Sequence, residues 1–295
     1  MRTNLIYILL ISFFVSPYLK AQSDSDFIFF ESRLQSLAEK ALSGENDSLR
    51  AESNKLLIEE LEELLLLDGS YYYDFENLDK INILPSGDKK FRLFNWVLPK
   101  MDGSFEYFAF LQFYNKRKKE SHFYQLVDVS DSIDNPSYQM LSNGNWYGAL
   151  YFDIIHTKFK KKDYYTFLAW DGNNAQTTKK IIDVLHFDEE NRPIFGAPIF
   201  KMNDGTRYRI ILEYTSGAST TMNYREKDQT ILYDHLVPLD GAEIGMYEFY
   251  VPSLSYDGLS FKNGKWRFTE DIPAYNDKRQ DAKQSKRIQR GLQSQ

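Results

Sequence analysis

The residues best suited to chemistry in this chain are its histidines and the acids near them. There are four, His122, His156, His186 and His235. Two lie close to an aspartate in apolar runs: Asp183 precedes His186, and Asp234 precedes His235. An imidazole titrates near neutral pH, and a carboxylate beside it can orient it, so these are the parts of an acid–base or metal cluster. If the two runs pack side by side, Asp183, His186, Asp234 and His235 converge on one face. The plainer alternative is four strand-end groups, each satisfied by a local neighbour. No His-x-His or His-Glu-x-x-His pattern occurs, so local spacing gives no metal site.

Other chemistries are narrowed in the same way. The chain has no cysteine, which excludes thiol catalysis, thiolate zinc and disulfide staples. Thr215-Ser216-Gly217-Ala218-Ser219 lacks the frame of a nucleophile elbow and reads as a turn. No glycine loop of the phosphate-cradling kind is present. The 42 acids leave a glycosidase-like pair open, because that mechanism depends on a separation in space. Asp-Gly recurs at Asp102-Gly103, Asp171-Gly172, Asp204-Gly205 and Asp257-Gly258. The oxygen-rich stretch Asp171-Gly172-Asn173-Asn174 is a calcium candidate, although hairpin turns favour Asp-Gly for backbone reasons alone. No other cofactor is expected. Trp146, Tyr147 and Trp170 stand at strand ends, where rings beside polar loops suit a sugar platform; the alternative is that they plug the core.

The elements that must position these groups are strands. From Trp146 to Phe187 three apolar, aromatic-rich runs (Tyr147 to Ile155, Tyr164 to Trp170, Lys180 to Phe187) are separated by turn chemistry. Lys90 to Trp96, Phe105 to Tyr114 and His122 to Val129 repeat that order upstream. Ile194 to Lys201, Arg207 to Tyr214 and Thr230 to Val237 repeat it downstream. A truncated fourth copy runs from Tyr247 to Phe268, closed by a type I′ hairpin at Asn263-Gly264. The expected fold is mainly β: an antiparallel meander of repeated hairpin units forming a curved sheet, open barrel or sandwich. A small propeller-like closure is the alternative. The 16% aromatic content, 21 Tyr and 22 Phe, fits strands of this kind.

The ends differ. Arg2, the apolar run Leu5 to Val15 and Leu19-Lys20-Ala21 make residues 1–21 a secretory signal, with the mature chain starting at Gln22. That run is too short to span a bilayer stably, which favours a cleaved signal over the alternative of an uncleaved anchor, and the mature chain is expected to have no transmembrane span. Residues 22–70 form a helical hairpin. Its first helix carries Phe27, Phe30, Leu34, Leu37, Ala38, Ala41 and Leu42. The second carries Leu49, Leu56, Leu57, Leu61, Leu64 and Leu65, and an apolar stripe of this kind needs a partner. Residues 71–274 are the β domain, and the basic segment 275–295 has no hydrophobic period and reads as disordered. Losing Arg2 and Lys20 with the signal takes the formal charge from −6 to −8, which speaks against nucleic acid as a partner.

At Asn145-Trp146-Tyr147-Gly148-Ala149-Leu150-Tyr151, at Tyr165-Thr166-Phe167-Leu168-Ala169-Trp170-Asp171-Gly172-Asn173-Asn174, and at Asp234-His235-Leu236, the chain resembles uncharacterised secreted proteins of Bacteroidota bacteria. The resemblance spans most of the β region and implies a periplasmic or extracellular setting, but no activity. The expected function is that of an exported, non-enzymatic β-protein binding a protein partner or glycan at a loop-bearing face. A secreted hydrolase using Asp/Glu or His on that face is the alternative. Ser130 to Asn145, Pro238 to Gly245 and Tyr250 to Asp257 are the expected recognition loops, at the end opposite the Asp-Gly turns.

Overall fold

A computed structural model describes residues 24–272. The signal segment and the basic tail expected from the sequence lie outside the described residues.

Two helices open the fold, α1 (Asp24–Ser43) and α2 (Asp47–Leu66). Gly44, Glu45 and Asn46 separate them, and Asn46 caps α2, its side chain accepting from the Leu49 amide at 2.9 Å. Leu34, Ala38, Leu57, Leu61, Leu64 and Leu65 are fully buried. Leu49 and Leu56, expected in the same stripe, face solvent at 38% and 44% exposure. Successive residues of a helix turn by about 100°, and that rotation carries these two off the docked face.

Among the described residues, sixteen strands form three sheets. In the first, β1 (Asn82–Pro85), β2 (Phe91–Pro99), β3 (Phe105–Asn115) and β4 (Glu120–Leu126) pair antiparallel in chain order. The second sheet runs β5 (Leu141–Ser142), β9 (Pro193–Phe195), β8 (Thr177–Phe187), β7 (Lys162–Asp171), β6 (Leu150–Phe159). The third runs β11 (Gly205–Arg207), β10 (Phe200–Met202), β16 (Lys265–Ile272), β15 (Tyr250–Lys262), β14 (Thr230–Pro238), β13 (Met222–Arg225). β12 (Ile210–Thr215) pairs with β8 beside β9, so one edge of β8 has two successive partners.

Strand alternation stacks these sheets in layers. Phe94 and Trp96 of β2 face the helices, where Trp96 Nε1 donates to Asn54 Oδ1 at 2.7 Å. Phe91 and Leu93 of the same strand face the second sheet, meeting Tyr165, Phe167 and Ala169 of β7. The opposite face of the second sheet, with Leu168, Ile182 and Val184, packs on Ile231, Tyr233, Leu259 and Trp266 of the third. A sheet covered on both sides must be apolar on both, and β8 accordingly buries Ile181, Ile182, Val184 and Leu185 in succession.

The chain is therefore mainly β, built of antiparallel hairpin meanders behind a helical hairpin, and its sheets are open. The meanders expected at Lys90–Val129 and Tyr147–Phe187 form as read. The third expected unit does not. Residues 193–215 break into four short strands, two in each of the second and third sheets, because Gly196, Pro198 and the Asp204-Gly205 turn interrupt any longer run. The true third meander is β13 to β16, joined to β10 by a parallel pairing. Asn263 and Gly264 both have positive φ, 53° and 75°, as a type I′ hairpin demands. Tyr250 to Asp257, expected as a loop, lies inside β15 together with Asp257-Gly258.

Candidate functional site

A polar cleft of about 530 Å³ opens at one edge of the interface between the first and second sheets. One wall comes from the start of β3, with Phe105 and Tyr107, and from the chain leaving β4, with Asp128 and Ser130. The other comes from Tyr147, Asp171, Asn173 and Lys179. The Asp171-Gly172 turn thus supplies part of the wall, and Gly103 packs towards Ala175 beyond it. Two of the four Asp-Gly pairs, Asp102-Gly103 and Asp171-Gly172, therefore share one end of the sheets with the Ser130 loop, correcting the expectation that they lie at opposite ends.

The floor is a chain of fixed donors and acceptors. Tyr107 donates its hydroxyl to Asp171 Oδ1 at 2.8 Å and accepts the Gly172 amide at 2.8 Å. The Asn173 amide donates to the same carboxylate oxygen at 2.7 Å. Lys179 Nζ lies 3.5 Å from Asp171 Oδ2 and donates to Asn173 Oδ1 at 2.8 Å. Behind it, Thr177 Oγ1 donates to Glu213 Oε1 at 2.6 Å. Burial works against the Lys179 charge, but Tyr147, Asp171 and Glu213 outweigh it and hold the ammonium pKa above its ordinary value. Burial, then Asp171, pushes the Tyr107 phenol well up.

The other corner is built on Asp128. Its Oδ1 accepts the Ser130 amide at 3.0 Å and the Gly148 amide at 3.1 Å. A Cβ at position 148 would stand 2.2 Å from this carboxylate, so only glycine lets the backbone come so close. The register is set by main-chain bonds: Trp146 N donates to Val127 O at 2.9 Å, and Val129 N to Trp146 O at 3.1 Å.

The four acid–base candidates are not brought to one place. Asp183 and His186 are three residues apart on β8, so alternation sends them to opposite faces. Asp183 is buried towards the first sheet, where Arg209 Nε lies 3.1 Å from its Oδ2 and Tyr151 donates to it at 3.4 Å. His186 is buried with no partner on Nδ1, and burial lowers its pKa. Asp234 accepts the Thr221 amide at 2.6 Å, while His235 pairs with Asp257 at 3.0 Å. Trp146 is fully buried, its Nε1 donating to Tyr151 Oη at 2.8 Å, so it plugs the core. Trp170 is half-buried, edge-on to Phe105 at 5.3 Å. Tyr147 alone of the three reaches the cleft, with Arg209 and Lys179 set against its ring at 5.7 and 6.0 Å.

In the turn considered for calcium, the Lys179 ammonium stands beside Asp171 and engages the Asn173 oxygen. A different group, Asp88, His156 and Asp163, with side chains of types able to ligate a metal, gathers at the far end of β7, about 26 Å from Asp171 by strand rise. The sequence reading missed Asp128 and Lys179. A lysine in a strand ordinarily points to water, and the acid that counters this one from behind, Glu213, lies on another strand. No family model, no curated protein and no solved structure matches this chain.

Proposed function

We propose that this is an exported binding protein whose cleft takes a hydroxyl-rich ligand, a segment of glycan. Export rests on the features of residues 1–21. The observation that carries the binding reading is the Tyr107–Asp171–Lys179–Asn173 floor. Carboxylate, amide and ammonium alternate there at fixed positions, matching the paired donor and acceptor character of sugar hydroxyls. Phe105 and Tyr147 add ring area in the same walls.

Lys179, Tyr107 and Tyr147 are all moved upward, so each keeps its proton at neutral pH and stays a hydrogen-bond donor in the cleft.

The test is a panel of soluble oligosaccharides titrated against the mature chain and its Lys179→Met variant. The wild type should bind a member of the panel, and the variant, less stable because Asp171 and Glu213 lose their counter-charge but checked as folded by circular dichroism, should lose about tenfold or more in affinity. A change at one polar contact of a built site carries about that cost. Binding that survives Lys179→Met places the ligand elsewhere and defeats the reading.

A further inference from the structure

At the end of β7 opposite the cleft, three elements each contribute one group to a second polar cluster. The turn between β1 and β2 supplies Asp88, β6 supplies His156 and β7 supplies Asp163. Their ligand atoms all lie within 4.8 Å of one another. His156 Nε2 is 3.1 Å from Asp163 Oδ1 and 3.8 Å from Asp88 Oδ2. A tetrahedral zinc ion with bonds of about 2.0–2.1 Å holds its ligands about 3.3 Å apart, and the two observed separations bracket that value.

The ligand groups are also held from behind. Tyr165 donates its hydroxyl to Asp88 Oδ2 at 2.8 Å, and Ser86 Oγ donates to Asp88 Oδ1 at 2.9 Å. The His156 ring stacks on the Tyr165 ring at 4.8 Å with only 13° between planes. Gly87 backs onto His156, where an added Cβ would sit 3.4 Å from the His156 Cβ. Outer contacts of this kind fix ligand orientation in metal sites.

The carboxylates of the cluster are balanced by two lysines. Lys90 Nζ bridges the two carboxylates, 3.1 Å from Asp88 Oδ2 and 2.7 Å from Asp163 Oδ2. Lys158 Nζ is 3.4 Å from Asp163 Oδ1. These lysine side chains are 53% and 60% exposed, against 16–24% for the three ligands. The inner groups are thus nearly fixed, whereas the cations balancing them hang in solvent and can leave.

We propose that Asp88, His156 and Asp163 form a binding site for one divalent transition-metal ion of the zinc class, with Lys90 as a displaceable counter-ion. Two carboxylates, a neutral imidazole and a divalent ion sum to no net charge, so the lysines are not needed once the metal is bound. The imidazole selects against calcium and magnesium, which prefer all-oxygen shells. A tetrahedral ion held by these three side chains would complete its shell with water.

Zinc chloride titrated calorimetrically into the metal-stripped mature chain, near neutral pH in a non-chelating buffer, tests the site. Saturable binding of one equivalent is expected. His156→Ala and Asp163→Asn should each weaken it by about tenfold or more. Lys90→Ala should tighten it several-fold, because the competing cation is gone; an adventitious surface histidine would not respond in that direction. In the wild type, one equivalent of zinc should shift the ring signals of His156 in the NMR spectrum before those of the other three histidines. This readout stands even if a variant fails to fold. Absence of one-equivalent binding, binding untouched by His156→Ala and Asp163→Asn, or a first shift at another histidine overturns the assignment.

Discussion

The first sheet has two faces, and each is crossed by a buried arginine treated in the opposite way. On the helix side Arg92 reaches neutral oxygens. Its Nε donates to Gln112 Oε1 at 2.8 Å and Nη1 to Tyr73 O at 2.7 Å, while Nη2 donates to Ser70 O. Gln112 in turn satisfies the Leu65 carbonyl at 2.8 Å, near the end of α2. The guanidinium also lies over Phe75 and Phe94 at 4.9 and 4.8 Å. Burial brings its pKa down to about 10, still well above neutrality. Across the other interface Arg209 is fully buried against the Asp183 carboxylate. Only Nη1 finds a hydrogen-bond acceptor, Pro136 O at 2.6 Å, leaving Nε and Nη2 without one. One face is closed by satisfied neutral contacts. The other keeps charge inside, and along its edge the cleft opens.

That contrast sets the order of expected effects. Arg209→Met should be the most costly, on the order of 3–5 kcal/mol in urea unfolding, because it strands the Asp183 carboxylate in the interior. The double change Arg209→Met with Asp183→Leu should recover most of that loss. If the single change costs less than the double, Asp183 is not behaving as a charge and the contrast collapses. Arg92→Met should cost less, about 2 kcal/mol by the same assay, since the oxygens it leaves behind are neutral.

The smallest effect is one of pH. Burial lowers the His186 pKa below the ordinary 6.5, and His122 is lowered for the same reason. Such groups are held neutral when folded and take up protons more readily when unfolded. Their contribution is complete above about pH 6.5 and is lost as pH falls through the folded value. Unfolding midpoints should therefore drop between neutral pH and pH 5 or so, and His186→Gln should flatten part of that slope. An unchanged slope would mean that His186 finds a partner for its charge.

How far the sequence discloses all this depends on how local each signal is. The helices and the strands β2 to β4 and β6 to β8 were legible because turn chemistry brackets long apolar runs. The stretch 193–215 was not: each piece is three to six residues long, and nothing within so short a strand states which sheet it joins. Of the candidate site residues, Asp183 and His186 were separable from the start, since an odd spacing on a strand means opposite faces. His156 and Asp163 are diagonal neighbours across the β6–β7 hairpin, which a register could have suggested. Asp88 completes that group from a turn in another sheet, a contact only the stacking of layers creates.

The short strands of 193–215 have a mechanical consequence. The chain leaves the second sheet after β9, enters the third for β10 and β11, and returns to the second at β12. It then closes the third through β16, which lies beside β10. The two layers are sewn to each other by a thread that passes through both, so neither can peel away as a separate domain. During synthesis the free edge of β8 waits for residues 193–215, and β10 waits for β16. Folding of these layers is a late, non-local event, and a chain stopped before residue 265 exposes an unpaired strand edge to its neighbours.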